Sequence, residues 1–205
     1  MASPAAASST GKVALISGGS RGQGAAEARL LAEAGPAVAI CDVLDEEGRV
    51  LAAGIGAAAR FIHLDVTLPE GWAAAEVHGW RGRLDTLVNN AGLTNRATIA
   101  TTSIGAWNRL LAVDLTGVFL GVQSATPVMR AAGGGATVNI ASRAGFTGHT
   151  DPAYTASAWP LRGLTRTAAM EFVADRIRVN SVCPGLSAPI LSSPGRMRTP
   201  PTRSR

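Results

Sequence analysis

SGGSRGQG, residues 17–24, stands directly between a short aliphatic run, KVALIS (12–17), and a helix-forming run, GAAEARLLAEAG (24–35). A glycine-rich turn that leaves a strand and opens a helix has a physical task. Gly18 permits the tight turn, while Gly22 and Gly24 let the backbone and helix come close to a pyrophosphate. The first turn of the helix then offers unpaired N–H groups and the positive end of its dipole to the anion. An ordinary glycine-rich turn is the alternative for an isolated match of this kind, so the flanking sequence has to decide.

The flanks repeat the same alternation. KVALIS, AVAICD, RFIHLD, RLDTLVNN, ATVNIAS and RIRVNSV read as six strands separated by stretches of helical composition, the pattern of βα units around a parallel sheet. Their nearly unbroken apolar character fits strands covered by helices on both faces. Gly35 and Pro36 stop the first helix. The predicted fold class is α/β, a Rossmann-type doubly wound parallel sheet in three layers, α/β/α. Asp42 ends the second strand, at the offset where an acid accepts hydrogen bonds from the adenosine ribose hydroxyls. A carboxylate there repels a 2′-phosphate and favours NAD over NADP, whereas Arg21, in the glycine loop, pulls weakly towards NADP.

The 205 residues, 46% of them hydrophobic, suffice for one sizeable core. Residues 1–10 read as a disordered lead, 11–185 as the nucleotide-binding domain, and 186–205 as an irregular tail rich in Pro, Ser and Arg. Arg196, Arg198, Arg203 and Arg205 in that tail carry four of the five units of net charge, so the rest of the chain has no electrostatic footprint for nucleic acid. Cys41 and Cys183 are too few for a disulfide framework and lack metal-ligand spacing, so no metal is expected and a cytoplasmic location is. The opening MASPAAASST lacks the features of a signal peptide, and no uncharged apolar run approaches the length of a membrane span.

SGGSRGQG, HLDVT, LVNNAG, the pair Ser142 and Tyr154, and NSVCPG follow the order and approximate spacing of the short-chain dehydrogenase/reductase family, over about residues 11–185. The sequence resembles that family. CDVLDEEG, RFIHLDVT, LTGVFLG, GGGATVNIAS and DRIRVNSV look most like its bacterial 3α,20β-hydroxysteroid dehydrogenases. The resemblance implies an NAD-dependent oxidoreductase that moves hydride between nicotinamide and a secondary alcohol or ketone, with a hydroxysteroid as one candidate substrate. It also implies a homo-oligomer. Gly18, Ser20, Arg21, Gly22, Gly24 and Asp42 would hold the cofactor. Asp65 and Val66 would meet adenine, Asn90, Ala91 and Gly92 would line the adenosine ribose side, and Pro184 and Gly185 would lie near the nicotinamide, which Tyr154 also faces.

For catalysis the resemblance assigns Tyr154 as proton acceptor and Ser142 as the hydroxyl that orients the substrate oxygen. An ordinary tyrosine has a pKa of about 10, so only on the order of one in a thousand is ionised at neutral pH. The family places a lysine four residues on, one helical turn away, to lower that value and to bind the nicotinamide ribose. Here the motif reads YTASAW, and Ala158 holds the lysine's place. Asp114, in AVDLTG, replaces the family's asparagine, and as a carboxylate it would oppose a nearby phenolate. Arg162 and Arg143 are the neighbouring cations, expected to be solvated, and Lys12 is the chain's single lysine. After Pro184 and Gly185 neither the family's substrate-binding segment nor its final strand is recognisable. The expectation is therefore impaired turnover, with a catalytically inactive NAD-binding protein or a nonfunctional truncated product as alternatives.

Overall fold

A computed structural model describes residues 9–72 and 80–185. The lead up to residue 8 and the arginine-rich stretch 186–205 lie outside the described residues. Six strands form one sheet: β1 Val13–Ser17, β2 Ala37–Asp42, β3 Ala59–His63, β4 Thr86–Asn89, β5 Gly135–Ile140 and β6 Ile177–Val182. All pairings are parallel and the order is β3-β2-β1-β4-β5-β6. The chain winds outward from β1 to β3, returns to pair β4 beside β1, and winds outward again to β6. That reversal between β1 and β4 opens a crevice at the carboxyl ends of the strands, the place where open α/β sheets take ligands.

Alternation along the strands divides the core into two. Ile16, Val38, Ile40 and Val88 face helices α1 (Gly22–Glu33) and α2 (Asp45–Ile55) through Ala25, Ala28, Leu51 and Ala52. Val13, Leu15, Ala39, Cys41 and Leu87 face the other way, onto Val122, Ala125 and Met129 of α4 (Gly117–Ala131), onto Ala168 of α5 (Pro152–Glu171) and onto Phe172, which caps that helix. These are the two outer layers of the expected α/β/α arrangement. Each fully buried Leu, Ile or Met side chain contributes about 1.5–3 kcal/mol. A polar chain crosses this packing: Asn89 Nδ2 donates to Asn139 Oδ1 at 2.9 Å, and Asn139 Nδ2 donates to Thr165 Oγ1 at 3.0 Å. It ties β4, β5 and α5 into one register.

α3 (Ile104–Leu111) runs into α4 through a π-helical turn, Ala112–Thr116. The combined 28-residue helix, Ile104–Ala131, is long and apolar enough to cross a membrane by length and composition alone. Its apolar face is instead packed on the sheet through Val122, Ala125 and Met129. β4 begins three residues later than the run RLDTLVNN suggests. Asp85, just before it, is taken up by the Lys12 ammonium at 2.8 Å, by both arms of Arg83, and by the Val13 N–H at 3.0 Å.

Candidate active site

The glycine loop is held from behind by the strand beside it. Gly18 has φ +63°, and a Cβ there would stand 2.6 Å from Ala91 Cα. A Cβ on Gly24 would overlap the Gly18 carbonyl oxygen and lie 2.6 Å from Asn90 Nδ2. Gly24 thus also serves the packing of α1 against the loop. Asn90 Nδ2 donates to the carbonyls of Ser17 at 3.1 Å and Gly18 at 2.9 Å, and Ser17 Oγ accepts from the N–H groups of Asn90 and Ala91. No side chain caps α1 at Arg21, and a Cβ on Gly22 would meet nothing within 4 Å. Open N–H donors over a cleared approach fit a pyrophosphate.

Asp42 is buried at the end of β2. Its Oδ2 accepts from the Ser20 N–H at 3.0 Å and its Oδ1 from the Leu44 N–H at 3.1 Å. Each oxygen keeps a lone pair for a ribose hydroxyl. The Ser20 bond also makes Asp42 a brace for the glycine loop, a role that its position in the sequence does not reveal. Beyond β3, Asp65 Oδ1 accepts from the N–H and hydroxyl of Thr67 at 2.9 and 2.7 Å, which holds its carboxyl below the usual range. Val66 is buried beside Gly117.

The crevice itself is a cleft of about 310 Å³. Asn90, Ala91 and Gly92 line one side, and Ser142, Tyr154, Ala158, Pro184 and Gly185 line the other. Asp42, Asp65 and Val66 lie outside its walls, at the ends of β2 and β3. The cleft gathers the expected segments that follow β4, β5 and β6 together with Asp114 from the π-helical turn, and reaches the start of α1 at Gln23.

Helix α5 starts at Asp151, and this residue organises the catalytic end. Asp151 is fully buried, and its Oδ1 accepts from the Tyr154 N–H at 3.2 Å as the helix cap. Its Oδ2 accepts from the N–H groups of Asn95 at 2.6 Å and Arg96 at 3.1 Å. Burial alone would raise its carboxyl, but the N–H groups of Asn95, Tyr154 and Arg96 outweigh that and hold it below the usual range. The sequence reading missed Asp151, although Asp followed by Pro is a helix-start signal. Ser142 Oγ accepts from the Ala144 N–H at 3.1 Å, which fixes the hydroxyl at the turn after β5.

Ala158 lies one turn beyond Tyr154, 4% exposed, on the same cleft wall. Among the described residues, neither Arg162 nor Lys12 fills its role. Arg162 Nη1 donates to the Gly145 carbonyl at 2.7 Å and its guanidinium lies 3.7 Å from the Phe146 ring centroid, so this arginine is packed where the sequence predicted a solvated one. Lys12 is spent on Asp85 at the opposite end of the sheet. Asp114 is turned into the cleft from the π-turn and accepts from the Leu93 N–H at 2.7 Å. Burial pushes its carboxyl up to about 7, with the Leu93 bond pulling down and the Asp151 charge pushing further up. Near neutral pH it therefore carries only a fraction of the charge that the sequence reading gave it. Protonated, it offers one O–H donor and an acceptor, much as an asparagine amide does.

The model of the short chain dehydrogenase family matches residues 12–194. The chain belongs to this family. It is similar to the 3-alpha-(or 20-beta)-hydroxysteroid dehydrogenase of Mycobacterium tuberculosis, 47% identical over 180 residues that cover 86% of this chain and 69% of the relative. The trans-4-hydroxycyclohexanecarboxylate dehydrogenase of Sinomonas cyclohexanicum is 47% identical over 186 residues, 85% of this chain and 71% of the relative. The cyclopentanol dehydrogenase of Comamonas is 38% identical over 183 residues, 86% and 73%. The family accounts for the Rossmann-type sheet and for oxidoreductase chemistry on alcohols and ketones. Within this short-chain dehydrogenase, Tyr154 and Ser142 also line a second cleft of about 490 Å³. The two clefts meet at Thr94, Ser142, Tyr154, Pro184 and Gly185, so one hydroxyl pair borders both.

Proposed function

We propose that this chain is an NAD-linked dehydrogenase of ring-borne secondary alcohols whose turnover is impaired by Ala158. The shared wall of the two clefts is the observation that supports this most. A cofactor in the first cleft and an alcohol in the second would meet at Tyr154 and Ser142. The glycine loop, with the uncapped N-terminus of α1, would hold the pyrophosphate, and Asp42 would take the adenosine ribose. NAD, when bound, supplies the acceptor for the hydride that leaves the carbinol carbon. Tyr154 Oη takes the proton from the alcohol oxygen, and the Ser142 hydroxyl holds that oxygen in place. The matched relatives are named for a hydroxysteroid, a hydroxycyclohexanecarboxylate and cyclopentanol, all alicyclic, and the reading carries that substrate class over. It also places the protein in the cytoplasm, because two cysteines are too few for a disulfide framework.

Titration calorimetry with NAD and NADP tests the cofactor half of the reading. NAD binds more tightly, because the Asp42 carboxylate opposes a 2′-phosphate more than the exposed Arg21 attracts it. Binding of neither cofactor overturns the reading. A preference for NADP that persists in Arg21→Ala shows that Asp42 does not set the choice.

A further inference from the structure

The second cleft is lined by three basic side chains from three separate segments. Arg96 comes from the loop after β4, Arg143 from the turn after β5, and His149 from the loop before α5. No acid lines it. Both guanidinium groups are without an ion-pair partner among the described residues, whereas Arg49, Arg83 and Arg130 each pair with an aspartate. The backbones that carry the two free arginines are nonetheless pinned. The Arg143 N–H donates to the Pro184 carbonyl at 3.0 Å. Arg96 sits at φ +52°, a left-handed conformation that side chains other than glycine's seldom take, and its N–H is held by Asp151 Oδ2. Non-glycine residues kept in that region by their surroundings cluster at ligand clamps. Asp151 brings one negative charge beneath the loop, but it is fully buried and its oxygens accept from backbone N–H groups.

We infer that the second cleft recognises an anionic substituent, so that the substrate is a ring-borne secondary alcohol bearing a carboxylate, gripped by Arg96 and Arg143 while its hydroxyl faces Tyr154. Guanidinium forks match a carboxylate in two parallel hydrogen bonds, which fixes orientation as well as affinity. His149 stands beside the reacting group, its ring 5.6 Å from that of Tyr154 and edge-on to it, with Nδ1 accepting from the Asp151 N–H at 3.2 Å. The cleft thus places its cations on the side of the tyrosine away from Asn90 and Ala91. An uncharged alicyclic alcohol would leave both arginines facing only water.

The inference rests on the dehydrogenase reading, and the test separates the two. Cyclohexanecarboxylate, cyclohexanecarboxamide and cyclohexanol are titrated calorimetrically into the protein saturated with NAD; the first two have no carbinol to oxidise, so their binding does not depend on turnover. The carboxylate binds about tenfold more tightly than the amide, as charge-assisted bonds are stronger than neutral ones. Added salt shrinks the difference, and Arg96→Gln with Arg143→Gln abolishes it. The comparison in the unaltered protein needs no variant to fold. Equal binding of carboxylate and amide, binding of neither, or a preference that survives both substitutions overturns the inference. If cyclohexanol binds the NAD complex while the carboxylate has no advantage, the dehydrogenase reading stands and only the anion inference falls. Failure of NAD itself to bind overturns both.

Discussion

Tyr154 and Ala158 stand one helical turn apart on α5, and both line the wall of the same 310 Å³ cleft. Ala158 is buried there, and Arg162, the next cation along the helix, does not take its place, being drawn away to Gly145 and Phe146. The helix, its cap and the cleft that would receive a longer side chain are all in position. On the proposed function, what turnover lacks is the charge that the family's motif lysine would supply at this point of the wall.

The contact between α1 and the glycine loop should tolerate no side chain. Gly24→Ala would press a methyl group onto the Gly18 carbonyl and Asn90 Nδ2, at a cost of about 1–3 kcal/mol in stability. Asn90 would be pushed off the loop carbonyls that it bridges, and NAD affinity should fall with it. Thermal melts and NAD titration of the variant check both effects. An unchanged melting temperature would show that the loop and helix are not in contact as described.

Asp114 should make the protein less stable as pH rises through neutrality. Its carboxyl is raised to about 7, above its ordinary 3.8, so between those values the folded state holds a proton that the unfolded state has released. Stability from this group is therefore full below pH 3.8, declines as pH rises, and is lost once pH passes 7; the span amounts to on the order of 4 kcal/mol. Asp114→Asn keeps an acceptor for the Leu93 N–H and removes the titration. Melting curves from pH 5 to 8 should show the variant gaining on the parent as pH increases. Parallel curves would rule this account out.

Asp151 should behave oppositely. Its carboxyl lies below its ordinary value, so its contribution is present above the unfolded pKa and is lost as pH falls through the folded one. Asp151→Ala removes the helix cap and leaves the buried N–H groups of Asn95 and Arg96 unpaired, costing about 3 kcal/mol. Asp151→Asn, which retains an acceptor oxygen, should cost less and should flatten the acid limb of the stability curve. Denaturant titrations of the three proteins at pH 7 and pH 3 give the comparison.

The strands were legible because burial on both faces makes them continuous apolar runs, and Val13–Ser17 and Ala37–Asp42 fall almost where those runs do. The glycine loop and the Ser142–Tyr154 pair were legible for a different reason: their chemistry restricts residue type at fixed spacing. Asp114 was visible as a departure but not in its charge state, which depends on a π-turn that leaves no periodic trace and on burial supplied by other segments. Asp151 was missed because its partners Asn95 and Arg96 lie more than fifty residues away, on a loop without regular pattern. Arg162 was misread for a similar reason. Its neighbours Gly145 and Phe146 come from the turn after β5, which only the tertiary fold brings to α5.

The central claim is that Ala158 limits turnover in an otherwise assembled site. Steady-state NAD reduction with cyclohexanol and other alicyclic secondary alcohols, measured across pH for the parent, Ala158→Lys, and Ala158→Lys with Asp114→Asn, tests it most directly. Restoring the cation one turn from Tyr154 should raise kcat by about 10² to 10⁴, the usual contribution of general acid–base catalysis, and should move the rise of activity with pH to lower values. Asp114→Asn should add to the gain most clearly above pH 7, where the parent carboxyl is ionised. A parent that turns over as fast as the double variant at every pH would contradict the claim, because some other group would then be activating Tyr154.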